Sequence, residues 1–163
     1  MTRAVETILV IDTSAAKIRL AFGGGVLERE SARQAADLPP LVAEILGGAA
    51  PDAIGVVAGP GSFTGIRLGI SFAKGLAFGF GIPLVGMSAF DFFDDLLLAL
   101  DSGRGDYFVS ENGAHRIEKE PPAGARVITD YDIADGIGIV SEKLRAGAPE
   151  PVIPLYIRPS YAG

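Results

Sequence analysis

Two clusters in this chain have the residue types and spacing to bind a phosphate or a cation. The first is Asp12-Thr13-Ser14, which follows the apolar run Thr7–Ile11. An aspartate at the end of a strand, with hydroxyls in the turn behind it, suits Mg²⁺ or a phosphate. The same three residues also suit a turn in which side chains bond the nearby backbone. The second cluster is Gly59-Pro60-Gly61-Ser62-Phe63-Thr64-Gly65, between the apolar run Ala53–Ala58 and a helix-forming stretch. The unpaired N–H groups at the start of such a helix attract anions, with Ser62 and Thr64 as polar handles. The alternative is a tight strand-to-helix connection with Thr64 as N-cap.

Neither cluster matches a known nucleotide fingerprint. No Gly-Lys-Ser/Thr closes the second loop, and Lys74 follows too late to reach phosphates from it. The interval from Gly61 to Gly65 is one residue too long for the dinucleotide pattern, and Pro60 interrupts it. The residues expected to face a nucleotide are therefore Asp12, Thr13, Ser14, Gly59, Gly61, Ser62 and Thr64. An ATPase also needs a second acidic or water-positioning group, for which Asp101 at a strand end is the candidate. No catalytic residue is assigned, and turnover by this chain alone is not expected.

Composition narrows the chemistry further. The chain has 163 residues, no cysteine, and a single histidine, His115, in the polar, turn-like segment Glu111–His115. Disulfides and thiolate metal sites are excluded, as is a site needing two histidines from one chain; no metal site is expected. The net charge of -6 disfavours a free-standing nucleic-acid binder. Glu6 interrupts the N-terminal apolar run, which argues against a signal peptide. The longest apolar helix, 66–80, carries Arg67 and Lys74 and falls short of the ~20 residues a bilayer requires. A soluble, cytoplasmic protein with no membrane partner is expected.

The elements that must position these clusters follow from hydrophobic period. Thr7–Ile11 reads as a strand buried on both faces, and Ile18–Phe22 alternates as a half-exposed strand. Gly23-Gly24-Gly25 turns the chain into a third strand, Val26–Glu30. Leu38, Leu41, Val42, Ile45 and Leu46 follow helical spacing, with a start near Asp37 and Pro39-Pro40 in the first turn. Ile54–Ala58 and Pro83–Gly86 are further strands, and Ser88 caps a helix through Phe93. The order β-β-β-α-β-α-β-α predicts an α/β fold with a mixed sheet and an opening antiparallel meander, the ribonuclease H-like, actin-type pattern. Two lobes are expected, residues 1–94 and 95–163. In the second, Leu96–Leu100 and Tyr107–Val109 flank a hairpin turn, Arg126–Ile128 is a strand, Ile139–Leu144 a short helix and Pro149–Pro159 an extended tail.

The helix after the glycine-rich loop is apolar over most of its circumference, so most of it is buried. Arg67, Ser71 and Lys74 form a thin polar stripe. Gly65, Gly69, Ala73, Ala77 and Gly81 form a row of small residues. That row either packs on the chain's own sheet or receives a partner's helix, and the second reading is preferred. It makes Gly65, Ile66, Arg67, Gly69, Ile70, Ala73, Lys74 and Ala77 the expected partner or dimer interface.

Three stretches resemble one family. They are Ile8–Ser14, the string Gly59-Pro60-Gly61-Ser62-Phe63-Thr64-Gly65-Ile66-Arg67-Leu68-Gly69, and Ala73–Ala77. Together they resemble TsaB (YeaZ), a bacterial tRNA threonylcarbamoyladenosine biosynthesis subunit. Leu100–Tyr107 and Pro154–Arg158 resemble that family's second-lobe hairpin and C-terminal segment. The resemblance implies an actin-like ATPase fold. It implies a non-catalytic partner of a TsaD-like subunit that modifies adenosine 37 of tRNA, joined by a TsaE-like ATPase. It further implies homodimers when alone, and contact with tRNA only through partners. ATP or ADP with Mg²⁺ would occupy at most a shared or vestigial site. The stretch between Tyr107 and Pro154 is shorter than in typical members, and Asp106 stands where Glu is usual, so a reduced second lobe is expected. An autonomous actin-fold ATPase or phosphotransferase is the rival reading. A metalloprotease, suggested only by the family's glycoprotease-like label, is disfavoured by the single histidine.

Overall fold

In a computed structural model, residues 7–158 are described. The first sheet has strand order β3-β2-β1-β4-β5, formed by β1 (Ile8–Asp12), β2 (Lys17–Phe22), β3 (Gly25–Glu30), β4 (Ala53–Val57) and β5 (Leu84–Met87). β1, β2 and β3 are antiparallel, while β4 and β5 run parallel to β1. All five residues of β1 and of β4 are buried, as expected for strands covered on both faces. Leu9 and Ile11 point to one side, under α1 (Gln34–Leu46) and α2 (Phe63–Phe80). Ile8 and Val10 point to the other, where Val140 of α3 (Asp135–Ala146) packs. Period two thus splits one strand between two cores.

The second sheet has order β8-β7-β6-β9, from β6 (Leu97–Asp101), β7 (Tyr107–Glu111), β8 (Ala114–Glu118) and β9 (Arg126–Ile128). β9 pairs parallel to β6. Residues 119–125 alone carry the chain from one edge of the sheet to the other, without a helix. A parallel crossover ordinarily takes a dozen or more residues. After β9 the chain returns to the first sheet, where α3 packs on β1, β4 and β5.

Several local expectations change. α1 begins at Gln34, not near Asp37, so Pro39 and Pro40 lie inside it. Its first turn is held from outside: Ser31 Oγ accepts from Arg33 N and donates to Asp37. The N-cap of α2 is Ser62 rather than Thr64, and its Oγ accepts from Gly65 N at 3.2 Å. The helix expected after Ser88 is a 3₁₀ turn, Ala89–Phe92, closed by a Ser88/Asp91 capping box. Asn112-Gly113 is a hairpin turn with both residues at positive φ (50° and 83°). It places His115 in β8, its ring stacked on Phe90 at 5.4 Å, rather than in a loop. Leu96 lies just outside β6 and is exposed. The tail is extended as expected through Arg158; Pro159 lies outside the described residues.

β2 departs most from expectation. It is buried almost throughout, Arg19 included at 7% exposure.

Candidate functional site

A cleft of about 1360 Å³ lies between the sheets. Its rim is formed by the β1–β2 turn, the loop before α2, the β6–β7 hairpin, residues 129–131 and the tail. Both clusters singled out in the sequence meet at one edge of it. Ser62 N donates to Ser14 O at 2.7 Å, and Thr13 Oγ1 donates to Gly65 O at 2.6 Å.

This contact accounts for the glycines. A Cβ on Gly61 would lie 2.3 Å from Ser14 O, and one on Gly65 would lie 2.1 Å from Thr13 O. One on Gly69 would meet Thr13 Oγ1 at 2.4 Å, and one on Gly59 would meet Leu155 O of the tail at 2.6 Å. Only a residue without Cβ permits these approaches. The string therefore fits two loops and a tail against each other.

Asp12 sits at the end of β1 with 1% exposure. Its Oδ1 accepts from Ser14 N at 2.9 Å and Ser14 Oγ at 2.6 Å. Its Oδ2 accepts from Arg19 Nη2 and Tyr131 Oη, each at 2.7 Å. The strand register sets Asp12 directly across from Arg19. A carboxylate offers about four lone-pair directions, and all are used. Asp12 and Thr13 thus face inward, Ser14 is buried beside them, and Ser62, Thr64 and Gly61 remain exposed at the rim. The residues do not fit a Mg²⁺-nucleotide held through Asp12. Asp101 accepts from Gly103 N within the hairpin and takes no part in this cluster.

The network extends across the cleft. Arg19 Nη1 donates to Asp130 Oδ1 at 2.8 Å and to Tyr131 O at 2.9 Å. Its guanidinium lies 4.1 Å from the centre of the Tyr131 ring. Burial, then the negative Asp12, push the Tyr131 hydroxyl well above the usual phenol range. Burial would lower Arg19, but Asp12 leads a set of contacts that outweighs it, so its charge is held more firmly than usual.

The tail makes a second tie. Leu155 N donates to Ala58 O at 2.7 Å. The Tyr156 ring stacks on Phe63 at 4.2 Å, and Tyr156 Oη accepts from Arg67 Nε at 3.1 Å. Arg158 pairs with Asp106 in the β6–β7 hairpin. Hydrogen bonds from Ser102, then from Arg158, hold the Asp106 carboxyl below its usual range.

The interface expectation needs correction. Gly65, Ile66, Gly69, Ile70, Ala73 and Ala77 are all buried in the chain's own core, against β1 and β4. The small residues admit Thr13 and the sheet, so no partner can reach them. Of the expected set only Arg67 and Lys74 are exposed. The outward face of α2 continues through Ser71, Gly75 and Phe78, a residue 90% exposed. Phe78 extends the 67–71–74 stripe by one turn, a spacing visible in the sequence. Arg19 was equally visible, as one cation inside an apolar strand. Tyr131 had no such signal.

Among the described residues no cluster of His, Asp and Glu is arranged to hold a metal ion, and no helix is long and apolar enough to cross a membrane.

Comparison with known proteins agrees with the geometry. A family model described as TsaD: tRNA N6-adenosine threonylcarbamoyltransferase matches residues 7–120. The Nitratidesulfovibrio vulgaris protein named tRNA N6-adenosine threonylcarbamoyltransferase is 38% identical over 93 residues, covering 54% of this chain and 26% of that protein. The tRNA threonylcarbamoyladenosine biosynthesis protein TsaB of Haemophilus influenzae is 35% identical over 92 residues, covering 50% and 39%. The chain thus matches about a quarter of the length of such transferases. YeaZ from Pseudomonas aeruginosa superposes with a TM-score of 0.68 at 22% identity, covering 93% of this chain and 100% of that one. The chain therefore belongs to the TsaD threonylcarbamoyltransferase family, and within it has the two-sheet, actin-like α/β fold of YeaZ (TsaB).

Proposed function

We propose that this chain is a non-catalytic subunit of the complex that forms threonylcarbamoyladenosine at position 37 of tRNA, and that it binds and stabilises a TsaD-like catalytic subunit. Family membership supports the pathway. The observation that carries the subunit role is the outer face of α2, where Phe78 is 90% exposed between Gly75 and Gly79. Among the described residues, nothing beyond the chain neighbours and the helix's own backbone lies within 4 Å of a Cβ built on either glycine. An apolar ring on a flat, side-chain-free helical surface suits a second helix packed closely against it. Alongside lies the outer face of α1, where Ala35, Ala36, Pro39, Pro40 and Ala43 are exposed and short. Arg67 and Lys74 border the surface and set register by charge.

Catalysis would belong to the partner. This sequence has one histidine and no cysteine, which rules out a two-histidine metal site of its own. In this reading a TsaE-like ATPase joins the complex, tRNA is contacted through the partners, and two copies pair through the same face when the chain is alone. The test is co-purification with the cognate TsaD-like subunit, with light scattering of the chain alone and of the mixture. Wild type should form a stable complex that Phe78→Asp and Gly75→Arg abolish while both variants stay folded. Unchanged complex formation by both variants would refute the proposed surface.

A further inference from the structure

We infer that Arg19 takes the place of a divalent cation at the strand-end aspartate, and that this built-in cation latches the two sheets together without any nucleotide. The inference is independent of which partner α2 binds. A two-lobed protein opens about the segments that cross between its lobes. Here the chain leaves the first sheet through the Ala89–Phe92 turn and returns through residues 129–134. Both crossings are fastened at one point. The Tyr131 ring packs on Phe92 at 4.3 Å, its hydroxyl donates to Asp12 in β1, and its carbonyl accepts from Arg19 in β2. Asp130, on the same crossing, takes the other side of the guanidinium at 2.8 Å.

A metal ion at Asp12 would have to displace Arg19 or Tyr131. Either loss would leave a buried charge or hydroxyl without its partner, which is strongly unfavourable. No buried side-chain nitrogen or oxygen among the described residues lacks a hydrogen-bond partner, so the cluster is complete as it stands. A cleft closed by a ligand would need a bound group to join its two sides. In this chain an arginine from β2 makes the bridge, and closure is a property of the folded chain.

Two measurements on the full chain test this. The first follows backbone amide signals by NMR as Mn²⁺-ATP is added, since paramagnetic Mn²⁺ broadens amides near it. Residues 12–14 and 19 should keep their intensity; broadening centred on them would overturn the inference. The second is hydrogen exchange at residues 129–134, with and without Mg²⁺-ATP. Wild-type exchange should be the same in both, whereas slowing by nucleotide would show closure by ligand and refute the latch. Tyr131→Phe keeps the ring and removes only the hydroxyl, and should accelerate exchange there about tenfold. Arg19→Met should accelerate it about a hundredfold, with α1 and α2 still protected. If Arg19→Met does not fold, Tyr131→Phe and Asp130→Asn decide: unchanged exchange in both would refute the latch.

Discussion

The two sides of α2 make opposite use of the same residue type. On the inner side Gly65 and Gly69 sit where a Cβ would run into Thr13 at 2.1 and 2.4 Å. On the outer side Gly75 and Gly79 face open space, beside a phenylalanine left in water. The inner surface is saturated, and every lone pair of Asp12 is matched. The outer surface is unfinished, with backbone exposed for no gain inside the monomer. Interior helical glycine is unfavourable by about 1 kcal/mol relative to alanine, so the outer pair asks for a reason outside the chain. Small residues in a helix therefore report close approach, but not whose backbone approaches.

The contrast can be tested most forcefully at Arg19. Arg19→Met leaves the buried Asp12 without a counter-charge, and should lower stability by about 3–5 kcal/mol in denaturant melts. If the loss is under ~1 kcal/mol, the inner cluster is not the keystone its geometry indicates.

Next in size is Phe78→Asp. Its effect on the isolated chain should stay within about 1 kcal/mol, because the side chain is already solvated and only the new charge in the last turn of α2 is unfavourable. Affinity for the TsaD-like subunit, measured by calorimetry, should fall about 30-fold or more, the size of an interface hot spot.

The same substitution on the two sides of the helix should then have opposite signs. Gly65→Ala puts a methyl against the Thr13 carbonyl and should destabilise by about 1–3 kcal/mol. Gly75→Ala and Gly79→Ala should each stabilise by about 0.5–1 kcal/mol. Thermal unfolding of the three variants is a sufficient comparison. Destabilisation by the outer pair would mean that the outer glycines serve the monomer after all.

The smallest effect concerns the tail. Asp106 is held below the usual carboxylate range by Ser102 and Arg158. A depressed carboxyl contributes stability above its unfolded pKa, about 3.9, and loses it as pH falls through the lower folded value. The tail's tie to the hairpin should therefore weaken only below about pH 4, seen as faster exchange at residues 155–158. Asp106→Asn should remove that acid dependence and leave exchange in α2 unchanged.

Much of this molecule was legible in order. Residues 8–11 are apolar without interruption, which points to a strand covered on both faces, 53–57 form a second apolar strand, and the meander before the first helix specified the topology. The strand-end position of Asp12 and the loop before α2 were also readable, because turn chemistry is local. The facing of α2 was not. A helix apolar nearly all round carries no directional signal of its own, so its small-residue row fitted a partner as well as its own sheet. Only the position of Thr13, brought in from β1 by strand pairing, decided that the row is internal.

By itself the sequence determined most elements of the first sheet, the fold class and the family, since these rest on periodicity and on local backbone chemistry, whereas β8 was read as a turn. The local turn supplied the Ser14 donors to Asp12 Oδ1, and tertiary structure decided what its Oδ2 does. A carboxylate binds whatever donors reach it first, and those at Oδ2 come from a cross-strand neighbour seven residues on and from a tyrosine 119 residues away. The first is set by register, the second only by how the returning chain packs. The side of α2 left exposed was settled in the same way, by what the rest of the chain had already covered.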